Sequence, residues 1–160
     1  MSAWWVPDSG ARAHEMTYET ILGRCGGERE ILSNNDRLRL LQNWREVFAV
    51  GLHAATGKWK RGEYEWHVFS FGDARALCGE KVMMAYSQER PAAFIVCPEE
   101  AGLSTVAIRG GSLPDFRPLA DDFCVWPEDL SWTMAFTHEE SAWLGPYFCR
   151  ADWVADVCWT

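Results

Sequence analysis

Apolar positions recur along this chain with two periods, and the elements are expected to change where the period changes. "SNNDRLRLLQNWREVFAVGL" sets Leu38, Leu41, Trp44, Phe48 and Leu52 on one helical stripe, with Asn34, Asn35 or Asp36 as the N-cap. Met16–Arg24 predicts a short helix stopped by the glycines of "CGG". "YEWHVFSF", residues 64–71, is rich in aromatic side chains and reads as a strand. Asp73 is expected to cap a helix carrying Ala74 and Leu77, which Gly79 divides from a second piece through Val82, Met83 and Tyr86. After Pro91, "AAFIVC" has the length of a buried strand and "STVAI" that of a shorter one. "DFCVWP" and "SWTMAFTH" are strands joined through the turn "PEDL", and "PYFC" adds a last one. "RGGSLPDFRP" is a loop by its glycines and prolines, and "VPDSG" makes residues 1–15 irregular.

This order predicts an α+β domain. A mainly antiparallel sheet of four to five strands, with helices packed on one face, follows from the short links between the late strands. Parallel pairing of 64–71 with 92–98 across the helical segment is the alternative for that pair. No repeat or low-complexity tract interrupts residues 1–160, which read as one globular domain. Trp44, Phe48, Trp66, Phe69, Ile95 and Trp132 are the expected core.

Composition changes the picture in three ways. Apolar residues make up 48% of the chain, enough for a core that needs no cross-links. Six cysteines can form three disulfides by count, but they are widely spaced and "MSAWWVPDSG" has no basic and apolar leader. Free thiols in a cytoplasmic protein are therefore expected. No apolar run is long enough to span a membrane as a helix.

Charge matters most. The net charge of −8 is concentrated late: from Gly110 onward only Arg117 and Arg150 stand against nine acids. Such a surface repels phosphate backbones and anionic lipid, which excludes nucleic acid and membrane as expected partners and favours a basic protein. Asp115, Asp121, Asp122, Glu128 and Asp129, with Trp126 and Trp143 as aromatic anchors, are the candidate partner-binding residues.

The remaining chemistry centres on two histidines. His67 and His138 fall on or at the end of expected strands, and with Glu139 they are the candidate catalytic residues. With Cys149 they are candidate zinc ligands, since zinc takes imidazole, carboxylate and thiolate. The ligand spacings H-x-H, H-E-x-x-H and C-x-x-C are absent, so no metal or other cofactor is expected. A nucleophile beside a histidine is conceivable in Cys149 with His138, or Ser70 with His67, without a G-x-S-x-G elbow. The plainer account of "THEESAWLGPYFC" makes Glu139 and Glu140 the start of a helix through Trp143. Gly145-Pro146 then stops that helix and aims Tyr147 and Phe148 into the core.

Two stretches together carry a resemblance: "YEWHVFSF" after "NWREVF", and "DLSWTMAFTHEE" followed by "LGPYF". They resemble a family of small uncharacterised bacterial proteins filed as a domain of unknown function, with W-H-x-F-S and W-T…T-H-E…G-P-Y-F motifs, over residues 40–148. The resemblance implies a single-domain cytoplasmic bacterial protein and assigns no catalytic residue. The small, acidic, tryptophan-rich build is also similar to immunity proteins that neutralise secreted bacterial toxins. The expectation is thus a non-enzymatic protein that binds a basic partner, such as a toxin. The alternative is a small enzyme built around His67 and His138.

Overall fold

The computed structural model describes residues 16–140 and 143–155, so the expected irregular segment 1–15 and Cys158 lie outside the described residues. Helix α1 (Tyr18–Cys25) is capped by Thr17, whose hydroxyl accepts the Thr20 N–H at 3.1 Å. Strand β1 (Glu28–Ile31) follows, its residues all exposed. Ser33, one residue earlier than expected, caps α2 (Asn34–Phe48) by accepting the Asp36 N–H at 3.1 Å. Leu41, Trp44 and Phe48 of the predicted stripe are buried, as is Leu52 in α3 (Val50–Thr56), but Leu38 is half exposed.

Two expectations fail between residues 64 and 78. The stretch 64–71 is not a strand; it turns and enters the one-turn helix α4 (His67–Ser70). Burial falls on Glu65, Trp66, Val68 and Phe69, which is the spacing of a helical turn and not alternation. The proposed parallel partner of 92–98 is therefore absent. Asp73 caps no helix, because its carboxylate takes the Arg61 guanidinium at 2.5 and 2.7 Å. Leu77–Cys78 instead form strand β2, and α5 (Glu80–Ser87) starts after Gly79.

The later strands fall where the pattern predicts: β3 (Ala93–Pro98), β4 (Val106–Arg109), β5 (Phe123–Pro127), β6 (Trp132–Phe136) and β7 (Tyr147–Arg150). Helix α6 (Ala151–Ala155) follows β7 directly. With β1 and β2, these strands form a seven-stranded sheet in the order β1-β4-β3-β5-β6-β7-β2, with every pair antiparallel. The α+β class and the antiparallel sheet hold. Four to five strands is too few, because β1 is charged and β2 has two residues, and neither shows apolar alternation.

The helices also occupy both faces instead of one. Phe94, Val96, Val125, Met134 and Phe148 pack with Ile21 and Leu22 of α1 and Val82 and Tyr86 of α5. Ile95, Cys97, Cys124, Trp126 and Tyr147 pack with Trp44, Phe48, Leu52 and Trp66 on the other side. Burial on both faces explains why the central strands read as continuous apolar runs. The indole of Trp44 is satisfied inside the core: its N–H donates to Thr133 Oγ1 at 2.9 Å, and that hydroxyl donates to the Val125 carbonyl at 3.2 Å. All six expected core residues are buried. Cys25, Cys78, Cys97, Cys124 and Cys149 are free thiols. Among the described residues, no helix is long and apolar enough to cross a membrane.

Candidate functional site

The turn before α4, the residues preceding β5 and those following β6 meet around one carboxylate. Asp122, 4% exposed, accepts the Trp66 Nε1–H at 2.8 Å and the His138 backbone N–H at 3.1 Å. His138 Nδ1 lies 2.9 Å from its other oxygen. Since a carboxylate here can only accept, Nδ1 carries the hydrogen and Nε2 is left toward Glu139 Oε1, 3.5 Å away. The hydrogen bond to Asp122 raises the His138 pKa above its usual value, and the charges of Asp122, Glu139 and Asp121 add to the effect.

His67 belongs to the same cluster without touching the pair. Its ring lies 4.2 Å from Trp66 and 5.6 Å from Tyr64, between centroids, and Tyr64 lies 5.0 Å from His138. Cys149 is in the core on β7, where burial pushes its thiol up to about 12. His67, His138 and Cys149 are thus not a ligand set. Among the described residues, no three His, Cys, Asp or Glu side chains gather to hold a metal. Nor does any hydroxyl or thiol among them hydrogen-bond His138 Nε2, so the oriented histidine has no nucleophile beside it.

Carboxylates crowd this end. Glu65, 4% exposed, is neutralised by Arg45, whose Nη2 lies 2.5 Å from Oε1. Glu99 accepts the Glu65 backbone N–H through Oε1, while its buried Oε2 has no hydrogen-bond partner among the described residues. Burial first, then the charges of Glu65 and Asp122, raise the Glu99 pKa to about 8, against the lowering effect of that N–H and of Lys60. The Asp121 carboxyl raises Glu100 through a shared hydrogen bond and its like charge. No lysine or arginine among the described residues forms an ion pair with Glu100, Asp121, Asp122, Glu139 or Glu140.

Trp143 stands beside them, 86% exposed, and lines a cavity of about 450 Å³ with Ala120, Thr137, His138 and Glu140. The described residues of the expected 139–143 helix form a tight turn. Trp143 N–H donates to Glu140 C=O at 3.0 Å and Leu144 N–H to Glu139 C=O at 3.2 Å, with Trp143 at φ 65°. Gly145 is required next: at φ 114° a β-carbon would sit 2.6 Å from the Thr137 side chain. Tyr147 and Phe148 then enter the core as expected, on opposite faces of the sheet.

The other candidate partner-binding residues are scattered. Trp126 is 2% exposed and packs against Trp44, so it is a core residue and no anchor for a partner. Asp122 is likewise internal. Glu128 is paired with Arg109 at 2.9 Å, Asp115 with Arg117 at 2.7 Å, and Asp129 accepts the Ser131 N–H. Tyr64, Glu65, Trp66, Glu99 and Glu100 complete the site; none was expected from sequence as a site residue, and Trp66 was expected only as core. The one available signal was the pair of adjacent acids in "CPEE" after an apolar strand.

Residues 37–148 match a domain of unknown function, DUF4275, and the chain belongs to that family. The match runs from the first turn of α2 into β7, so it takes in the whole Asp122–His138 cluster and leaves out α1 and β1. No curated protein and no solved structure matches the chain.

Proposed function

We propose that the chain is a non-enzymatic binding protein that receives a basic protein at its His138 end. The supporting observation is a group of acids that no lysine or arginine among the described residues pairs, in which Asp121 raises Glu100, at the end where Trp143 is exposed beside Glu140. Like charges held together are a standing electrostatic cost, which a cationic surface relieves on binding. An exposed indole beside them supplies the apolar anchor that such interfaces use. Neutralisation of a basic secreted bacterial toxin inside the cytoplasm is the most concrete form of this reading.

One observation favours a second reading, a small histidine-dependent enzyme. A buried carboxylate orienting His138 Nδ1–H is the arrangement that prepares Nε2 as a general base. It lacks the nucleophile that would complete it.

Affinity capture with the immobilised chain tests the first reading, with Trp143→Ala as the comparison bait. A retained protein of basic pI whose affinity drops at least about tenfold for Trp143→Ala supports it. An acidic partner, equal affinity for both baits, or no specific capture contradicts it.

A further inference from the structure

A second concavity lies on the α2 face of the sheet and has a different character from the acidic end. It encloses about 190 Å³ and is lined by Leu38, Leu41, Cys97 and Cys124 on its apolar side. Arg37, Arg45, Lys60, Glu65 and Glu99 form the polar side. The helix places Arg37, Leu41 and Arg45 at successive i+4 positions, so one face of α2 supplies both kinds of wall. Cys97 and Cys124 face each other across β3 and β5 and form the floor.

Arg45 and Glu65 cancel each other through their bidentate pair, with N–O distances from 2.5 to 3.2 Å. Arg37 makes no hydrogen bond or ion pair with another side chain among the described residues. Lys60 lies 3.9 Å from Glu65 Oε1, and its side chain is 38% exposed. Glu99 Oε2 is buried without a partner, and a buried polar atom left unpaired has a cost that a bound group removes. The charge balance of the walls is positive, which selects an anion over an ammonium ion. The thiol and leucine walls select an apolar tail over a bare inorganic ion. A volume of about 190 Å³ suits a small ligand with a short tail.

We propose that this cavity binds a short-chain carboxylate, its carboxylate between Arg37 and Lys60 and accepting a hydrogen bond from Glu99, its alkyl tail over Leu41, Cys97 and Cys124. The acceptor role requires Glu99 to be the protonated acid. Its pKa of about 8 supplies that at neutral pH. The groups around it act in both directions: Glu65 and Asp122 raise it, and Lys60 and the Glu65 N–H lower it. Burial first raises the thiols Cys97 and Cys124 and the phenol Tyr64, and the Glu99 charge adds to each once Glu99 ionises. The cavity shares Glu65 and Glu99 with the candidate site but uses neither Trp143 nor His138, so the two proposals are tested on different residues.

Calorimetric titration of the intact chain with butyrate, butylamine and inorganic phosphate at fixed ionic strength tests it. Butyrate is expected to bind saturably in the millimolar range, and more tightly than the other two. Its affinity should fall roughly tenfold per pH unit above about 8, as Glu99 ionises and repels it. Glu99→Gln keeps an N–H donor, so it should bind butyrate with no such pH dependence. Arg37→Ala and the more exposed Lys60→Ala should each weaken binding about tenfold or more. No saturable binding of butyrate to folded wild-type chain, tighter binding of butylamine or phosphate, or a flat wild-type profile through pH 8 overturns the proposal. So does unchanged affinity in a folded Lys60→Ala variant.

Discussion

Strand β5 has a pair of acids at each end, Asp121-Asp122 before it and Glu128-Asp129 after it, and the two ends behave differently. At the far end the charges are resolved locally: Glu128 faces Arg109, and Asp129 caps a turn by accepting the Ser131 N–H. At the near end Asp122 is taken inside to hold Trp66 and His138, and Asp121 is left against Glu100 with no basic side chain paired to either. Composition is equal at the two ends, yet one is a solvated hairpin end and the other a charged, aromatic surface. What distinguishes them is the chain brought alongside. β4 delivers an arginine to one end, and the 64–67 turn delivers tyrosine, tryptophan and histidine to the other.

The largest contrast is expected from removing the internal carboxylate. Asp122→Ala leaves the Trp66 N–H and the His138 Nδ1–H without their acceptor and should cost about 2–4 kcal/mol in urea denaturation. Asp122→Asn, which keeps one acceptor oxygen, should cost less. Near-wild-type stability of the alanine variant would mean that the near end is held by its aromatic packing alone.

A smaller effect sharpens the same point by its sign. The folded-state pKa of His138 is raised, so its stabilisation is fully present below its ordinary value of 6.5 and is lost as pH rises through the folded value. His138→Ala should therefore be destabilised mainly in acid, by under about 1 kcal/mol because the ring is a third exposed to solvent. The difference from wild type should shrink toward pH 9. An opposite trend would mean that Asp122 does not favour the protonated ring.

The smallest effect belongs to the resolved end. Glu128→Ala breaks an exposed ion pair and should change stability by no more than about 0.5 kcal/mol. A loss as large as that of Asp122→Ala would erase the contrast between the two ends.

These differences also show what the sequence could and could not reveal. The stripe Leu41, Trp44, Phe48, Leu52 and the runs at 93–98, 123–127 and 132–136 were legible because burial repeats with the period of their elements. The stretch 64–71 was not. Its aromatic residues suit a pleated strand as well as a packed turn, and only the tertiary demand of Asp122 for the Trp66 N–H separates the two. β1 and β2 were hidden because edge strands need no apolar face. His138 and Glu139 were identifiable as residue types with chemistry, but their orienting partner lies sixteen residues away across the β5–β6 hairpin. Trp126 and Trp143 looked equivalent as anchors. Strand alternation buries the first beneath α2, whereas a positive-φ turn leaves the second in solvent.

The proposed landing place for a basic partner is the near end, and not the end at Glu128 and Asp129. The direct measurement is amide and indole chemical-shift mapping by NMR during titration with a short lysine- and arginine-rich peptide at physiological salt. Saturable shifts are expected to concentrate on Glu100, Asp121, His138, Glu139, Glu140 and the Trp143 indole, with Glu128 and Asp129 nearly still. Shifts spread evenly over all acidic residues, or centred on Glu128 and Asp129, would contradict it.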